Sequence, residues 1–401
     1  MTSAHTPESL GSGSGSADID TRSPNGSAGV GIRVTNLSKT FASQAGKVTA
    51  LANLDLEIEA SEIVALLGPS GCGKTTTLRC IAGLETPDSG AVEILGRQVV
   101  NTAEGVAVAP EKRDLGMVFQ SYALWPHMTV FANVAYPLRR RKVDKAEIGD
   151  RVHDILTMVG CGQFVDRYPG QLSGGQQQRI ALARALVGNP SVILFDEPLS
   201  NLDAKLREQM RFELLELHER FRFAAVYVTH DQVEAMTVAH RIAVMRIGRI
   251  VQLGAAREVY DRPTDRGVAD FMGAATFIPG TVRSADGERV LVDTALGEMR
   301  ALAVDSAATT AGDEVEICAR PEQVRLRATS DDTAPAAGYH WVEGQLQHSS
   351  FQGGQMVRLV AVNGVTIRVD TSSGMSDSEE ARFTSGAIML GLPMDSLYVY
   401  S

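Results

Sequence analysis

The sequence predicts two folds in series, an α/β unit followed by a smaller all-β unit, and three observations carry this. Apolar runs rich in strand formers end in polar, chemistry-bearing residues at "EIVALLG", "SVILFDEP" and "AAVYVTH". Segments with helical spacing, such as "KTTTLRCIAGL" and "IALARALV", lie between or after them, the arrangement from which parallel sheets are built. After "VADFMGAATF" the pattern changes to short alternating runs such as "ERVLVDT", "MVRLVAVNGVTIRVD" and "SLYVYS", separated by Gly, Ser and Asp. Strands at that density suit small barrels or a sandwich.

A chain of 401 residues is long for one domain and suggests two, with boundaries read at 31–275 and 276–401. Residues 1–30 are Gly/Ser-rich and short of large apolar side chains, so a disordered tail is expected there. With 44% hydrophobic and 21% charged residues the remainder has ample material for a core. The cysteines Cys72, Cys80, Cys161 and Cys318 are scattered without metal-ligand spacing, which favours free thiols in a reducing compartment. A net charge of -10 argues against a protein that coats nucleic acid, since phosphate binding needs a basic stripe. No apolar run approaches the ~20 residues of a membrane span, and the N-terminus lacks the apolar core of a signal peptide. If the chain serves a membrane, it does so through another chain.

The first strand runs into "GPSGCGKTT", which matches G-x-x-x-x-G-K-[ST] at Gly68, Gly73, Lys74 and Thr75. Its glycines let successive N–H groups turn toward one anion, Lys74 neutralises β/γ oxygens, and the Thr75 hydroxyl reaches a magnesium ion. The expected nucleotide-contacting set is therefore Gly68, Pro69, Ser70, Gly71, Cys72, Gly73, Lys74, Thr75 and Thr76. This is a Walker A loop.

Ligands of open α/β sheets collect beyond the carboxyl ends of the parallel strands, so Asp196, Glu197 and His230 should meet this loop in space. Asp196 suits a Walker B acid holding magnesium through water, and Glu197 is placed to polarise an attacking water. His230 either senses the γ-phosphate or caps a helix; its position at a strand end favours the first. Gln120, after the short apolar run Leu115 to Phe119, can reach both magnesium and water. The stretch that follows carries Tyr122, Trp125, Phe131 and Tyr136, which serve either as helical core or as a partly exposed groove for a partner helix.

About a hundred residues after the phosphate loop comes "LSGGQ", at the start of a predicted helix where unsatisfied N–H groups favour an anion. Ser173 as a plain helix cap explains the local sequence. It does not explain a second phosphate site without lysine or metal ligands. Two chains facing head to tail do, with Ser173 and Gly175 of one over the γ-phosphate held by the other.

Taken in order, these motifs resemble the ATP-binding subunits of ABC transporters over roughly residues 31–275. The resemblance implies a P-loop NTPase fold with a RecA-like core and a helical subdomain, ATP and Mg2+ as cofactors, and a homodimer closing on two ATP molecules. It makes Gln120 the Q-loop residue, Glu197 the catalytic glutamate, His230 the switch histidine, and Thr75, Gln120 and Asp196 the metal set. Ser173, Gly174, Gly175, Gln176 and Asp203 then act on the partner's nucleotide, Asp203 closing the D-loop "SNLD" in which Asn201 stands where alanine is commoner. Phe41 falls where an aromatic stacks on adenine. Membrane permease subunits are implied in the groove from Tyr122 to Val130, with an external solute-binding protein beyond them, so the chain belongs peripherally on the cytoplasmic face of the membrane.

"RPEQVRL", Arg320 to Leu326, resembles the short motif of the TOBE domain, an OB-like fold found behind importer ATPases. Residues 276–401 hold nine Arg, no Lys and seventeen acids, a charge of -8, and so make a poor oligonucleotide surface. "GTVRSADGERVLVDT" and "GQLQHSSFQGGQMVRLVAVNGVTIRVDT" hint at a duplication. An importer ATPase is the expected function; a non-transport ABC ATPase acting on nucleic acid would need a basic footprint that this sequence does not show, and an exporter is disfavoured by the lack of an apolar membrane segment and by the TOBE-like motif. Around Trp125 the sequence is most similar to the group importing ferric iron, 2-aminoethylphosphonate and polyamines, with sugar importers further off, and the aromatic there leans toward ferric iron.

Overall fold

The computed structural model describes residues 29–43, 46–304, 309–329, 336–374, 386–394 and 396–400. The stretch read as a tail lies outside these apart from Gly29 and Val30. An antiparallel sheet is formed by β1 (Val30–Ser43), β2 (Gly46–Glu59), β4 (Ser89–Ile94), β5 (Arg97–Asn101) and β6 (Val106–Ala107), in the order β2-β1-β4-β5-β6. A second sheet combines β3 (Ile63–Leu67), β7 (Gly116–Val118), β8 (Val192–Asp196), β9 (Ala224–Val228), β10 (Arg241–Arg246) and β11 (Arg249–Ala255) in the order β11-β10-β3-β9-β8-β7. It is parallel except at the edge, where β11 runs antiparallel to β10.

Side chains on these strands face alternate ways, and both faces are covered. Ile63, Ala65, Leu67, Ile193, Phe195, Ala225 and Tyr227 pack toward the helices, whereas Val64, Leu66, Val192, Leu194, Val226 and Val228 pack toward α1 (Lys74–Ala82) and the antiparallel sheet. That is why the strands read as unbroken apolar runs. Each fully buried aliphatic side chain contributes about 1.5–3 kcal/mol. Leu66 and Asp196 both lie beside Val228, and Val118 lies beside Phe195. The carboxyl ends of β3, β7, β8 and β9 therefore finish level.

The helical part comprises α2 (Val130–Arg140), α3 (Lys145–Met158) and α4 (Gly174–Leu186), followed by α5 (Ala204–Phe221), α6 (Gln232–Val238), α7 (Ala256–Asp261) and α8 (Arg266–Phe271). The aromatic segment after Gln120 is a loop until α2 begins, and Tyr122 and Ala123 take left-handed conformations in succession (φ 62° and 49°).

The C-terminal unit is a closed barrel and an open sheet sharing one apolar core. The barrel comprises β12 (Thr276–Asp286), β13 (Arg289–Thr294), β14 (Gly297–Ala303), β15 (Glu314–Ala319) and β21 (Tyr398–Tyr400). The sheet comprises β16 (Arg325–Ala328), β17 (Tyr339–Phe351), β18 (Gln355–Val362), β19 (Val365–Ser372) and β20 (Ala387–Pro393). The two repeat the same pairings. β12-β13-β14 with β15 against β12 matches β17-β18-β19 with β20 against β17. Their fifth strands are exchanged: β16, which follows β15, pairs with β20, and β21, which follows β20, pairs with β15. Gly280 and Gly344 occupy matching first strands, and an added Cβ would come within 2.6 Å of Val292 and 2.7 Å of Val360 respectively. The shared "VDT" is not included in the match, because Asp293–Thr294 ends the second strand of its repeat and Asp370–Thr371 lies in the third.

Arg320, the first residue of "RPEQVRL", joins the α/β unit to the β unit. It is 6% exposed, and its Nη1 donates to the carbonyls of Ala269 (3.0 Å), Gly273 (3.2 Å) and Ala274 (3.3 Å) at the end of α8. Its Nη2 donates to Tyr260 O at 3.3 Å while its guanidinium lies 4.4 Å from that ring. Carbonyls at a helix C-terminus carry partial negative charge and lack helical partners, so a buried cation stabilises both. Arg320→Leu should cost on the order of 3 kcal/mol and split one calorimetric transition into two as the β unit uncouples.

Candidate nucleotide site

The loop after β3 is shaped by close backbone approach. A Cβ at Gly68 would stand 2.3 Å from Met245 O of β10, and one at Gly73 would stand 2.5 Å from Ala50 O. Gly73 also needs its φ of 109°, as Gly71 needs 80°, values open to glycine at little cost. Around Gly71 an added Cβ would meet nothing within 4 Å, so the loop's outer face is an open cradle. Pro69, Ser70 and Gly71 are exposed there, Thr75 and Thr76 are half-buried on the first turn of α1, and Cys72 turns its thiol into the core between the sheets. Lys74 is 6% exposed, and its Nζ curls back to donate to Gly68 O (2.7 Å) and Pro69 O (3.1 Å). The loop therefore presents a nearly buried ammonium and a helix N-terminus to one concavity, the donor set a polyphosphate requires.

The level strand ends bring the acids to the same edge. Thr75 Oγ1 stands 3.5 Å from Asp196 Oδ1. Burial pushes the Asp196 carboxyl up, Arg79 pulls it down, and the neighbouring Glu197 adds repulsion. A hydroxyl and a carboxylate whose ionised form burial disfavours are hard oxygen donors suited to a small divalent cation. Glu197 adopts a left-handed conformation, φ 46°, held by its N–H to Val228 O (3.0 Å) and by the Ser200 hydroxyl to its carbonyl (3.0 Å). Its Oε2 lies 3.3 Å from His230 Nδ1 and 3.4 Å from Gln120 Nε2. Three residues from different strand ends thus meet at one oxygen.

Ser173 and Gln176 close a reciprocal capping box at the start of α4: Ser173 N–H donates to Gln176 Oε1 (2.9 Å) and Gln176 N–H to Ser173 Oγ (3.4 Å). As an acceptor, Ser173 keeps its hydroxyl hydrogen to donate. Gly174 lies against Tyr122, whose hydroxyl would be 3.2 Å from an added Cβ, and Gly175 against Leu206 of α5, whose Cδ2 would be 2.4 Å away. Asp203 caps α5, accepting from Leu206 N–H at 3.0 Å. Phe41 is 39% exposed on β1, with Lys39 Nζ 5.1 Å from its ring centre.

Several contacts that hold this geometry are not legible in the sequence, and Arg184 and Asn133 are residues it did not single out. Asn201 Nδ2 donates to Gln120 O at 2.8 Å, tying the D-loop to the Q-loop. Arg184, an arginine inside the apolar run "IALARALV", donates to Ala123 O (2.6 Å) and Tyr122 O (2.9 Å) and so holds the left-handed pair. Burial lowers its guanidinium to about 10. Trp125 is clasped between Arg184, 5.0 Å from its ring, and Tyr136 at 4.5 Å between centroids. Fully buried Asn133 closes the loop, accepting from Trp125 N–H and donating to the carbonyls of Trp125, Met128 and Thr129. A lone polar residue within an apolar helical run was the signal for Arg184 and Asn133.

A family profile described as ABC transporter matches residues 51–200. The spermidine/putrescine import ATP-binding protein PotA of Rubrobacter xylanophilus is 46% identical over 77% of this chain and 79% of its own length. The chain belongs to the family of ABC importer ATP-binding subunits. The Fe(3+) ions import ATP-binding protein FbpC of Agrobacterium fabrum is likewise 46% identical, over 80% of this chain and 85% of its own. The trehalose/maltose import ATP-binding protein MalK of Thermococcus litoralis is 52% identical over 61% of this chain and 64% of its own. Among solved structures, the dimeric ABC transporter cassette MJ0796 is 35% identical, with a TM-score of 0.50, covering 56% of this chain and 99% of that one. The subunit is an ATPase of the P-loop NTPase fold.

The contact between Gly175 and Leu206 is tight enough to test. Gly175→Ala should displace α5 or the start of α4 and cost about 1–3 kcal/mol, lowering ATP turnover while leaving nucleotide affinity of the monomer unchanged. Leu206→Ala in the same chain should restore some of the turnover, measured as ATPase rate alongside the melting midpoint.

Proposed function

We propose that this subunit, an ATPase unit over 31–275 followed by a bracing β unit over 276–401, energises a binding-protein-dependent importer whose solute is ferric iron. The observation that supports the chemistry is the convergence of His230 Nδ1 and Gln120 Nε2 on Glu197 Oε2 at the strand ends beside the phosphate loop. Glu197 Oε2 accepts the proton of the attacking water, while Gln120 and His230 orient that water and the γ-phosphate. Lys74 and the loop N–H groups of Gly68 to Thr76 hold the β- and γ-phosphates, and Phe41 stacks on the adenine. Thr75, Gln120 and Asp196 hold a Mg2+ ion, which supplies charge neutralisation on the phosphates when bound. Burial and the neighbouring Glu197 disfavour the ionised Asp196 carboxyl, and a cation held there would stabilise it.

The second anion site, at Ser173, Gly174, Gly175 and Gln176 with Asp203 beside it, serves a second copy of the chain. Head-to-tail pairing places it over the partner's γ-phosphate, so ATP joins the dimer and hydrolysis opens it. The Tyr122–Val130 loop receives a helix from each permease subunit at the cytoplasmic face of the membrane, and a solute-binding protein delivers the cargo outside. The β unit's negative charge disfavours a nucleic-acid partner.

Cargo is set by chains the ATPase does not itself contain. Relatives named for polyamines and for ferric iron are equally identical to this chain, and Trp125 is packed against Arg184 and Tyr136. The ferric-iron reading rests on similarity around that residue, with polyamine, 2-aminoethylphosphonate and sugar as the competing loads.

Glu197→Gln should retain ATP binding, lose most turnover and accumulate as an ATP-bound dimer by size-exclusion chromatography. Ser173→Arg should bind ATP as a monomer yet fail to dimerise or hydrolyse; weakened nucleotide binding in that monomer would overturn the trans assignment. In liposomes holding the subunit with its permease partners, iron-loaded binding protein alone should stimulate ATPase activity. Stimulation by a polyamine, phosphonate or sugar load would replace the cargo, and stimulation by none would overturn the transport reading.

A further inference from the structure

Arg207 lies on the first turns of α5, outside every nucleotide-contacting motif, yet it bonds to two of them at once. Its Nη2 donates to Leu202 O at 3.0 Å, the carbonyl immediately before Asp203, and its Nη1 donates to Asp231 Oδ2 at 3.2 Å, the residue immediately after His230. Both partners of the ion pair are about one quarter exposed, at 29% and 26%, and the remaining Nε–H is buried with no acceptor among the described residues. The side chain is thus held by its two terminal nitrogens, one bonded to each loop.

The Asp231 end is rigid. Its Oδ1 caps α6 by accepting from Glu234 N–H (2.9 Å), and its own N–H donates to Thr229 Oγ1 (3.0 Å). Thr229 in turn donates to Glu234 Oε2 at 2.7 Å, and Tyr227 donates to the same buried carboxylate. His230 is therefore flanked on both sides by residues locked to one buried acid, and Asp231 cannot shift without carrying His230. On the other side, a displaced Leu202 carbonyl moves Asp203.

We infer that Arg207 is a positioning residue that couples the two ATP sites of the dimer, by linking the loop that senses the subunit's own γ-phosphate to the loop that faces the partner's. This rests on the dimeric reading proposed above. A closed, ATP-bound partner holds Asp203, Arg207 transmits that position to Asp231, and His230 is then set for hydrolysis in its own site. Neither loop alone requires a cation of this reach; the simultaneous bond to both is what a coupling element needs.

The test is steady-state hydrolysis by the full chain over a range of ATP concentrations. Two variants remove the clasp differently: Arg207→Met keeps the side chain's length, and Asp231→Asn keeps the α6 cap, since Asn caps as well as Asp. Each should lower turnover about tenfold and reduce the Hill coefficient from about 2, the number of sites, toward about 1. The double variant should be no worse than either single one, and ATP affinity measured in the Ser173→Arg monomer should not change. A wild-type coefficient near about 1, unchanged cooperativity in both variants, independent losses that multiply in the double variant, or reduced monomer affinity would each overturn the inference. Failure of Glu197→Gln to dimerise with ATP would overturn the dimeric reading; a normal dimer with intact cooperativity in the Arg207 variant would overturn the clasp alone.

Discussion

The site depends on the level carboxyl ends of the parallel sheet. Leu66, Val228 and Asp196 share one register row, and Val118 stands beside Phe195. A shift by one residue in any of these strands would turn its inward side chains outward and move its terminal group by about 3.3 Å. Thr75 would then lose Asp196, and Glu197 would lose His230 or Gln120. Because both faces of the sheet are packed, such a slip would expose or clash a row of Ile, Val, Leu and Phe side chains. The cores on either side therefore hold the chemistry in register.

Close packing also explains where glycine is needed. Gly68 and Gly73 are pressed against carbonyl oxygens of Met245 and Ala50, so the phosphate loop can form only where β2 and β10 approach β3. Gly175 is pressed against Leu206, which joins the start of α4 to the start of α5. The surface assigned to the partner's nucleotide is thus built from two helix starts in contact. Strain is placed beside it: Glu197, Tyr122 and Ala123 all hold left-handed conformations that cost about 1–3 kcal/mol each. Each is fixed from outside, Glu197 by Ser200 and Val228, the pair by Arg184.

Arginines recur as the connectors between distant segments. Arg184 fixes the Tyr122–Ala123 loop to α4, Arg207 joins the loops around Asp203 and His230, and Arg320 fastens the β unit to α8. Each donates to carbonyl or carboxylate oxygens from at least two directions, a task suited to a planar fork of five donors and beyond a lysine's point charge. The exchanged strands β16 and β21 fuse the two β repeats into a single body, since neither repeat completes its five strands from its own sequence.

By itself the sequence determined what local pattern and spacing can encode. The α/β to all-β change, the phosphate loop, the strand-ending Asp196, Glu197 and His230, and the Ser173 helix start are all contiguous signals, and the ATP-binding family followed from their order. The repeat in the β unit was half legible: Gly280 and Gly344 marked it, whereas "VDT" misaligned it, because three residues cannot say which strand of a meander they end. Tertiary structure alone decided the long-range partners. Arg207 meets Asp231 across 24 residues, Arg184 meets Ala123 across 61, and Asn201 meets Gln120 across 81. Such bonds depend on where separately folded segments come to rest, and a hydrogen bond leaves no periodicity in the chain from which that could be read.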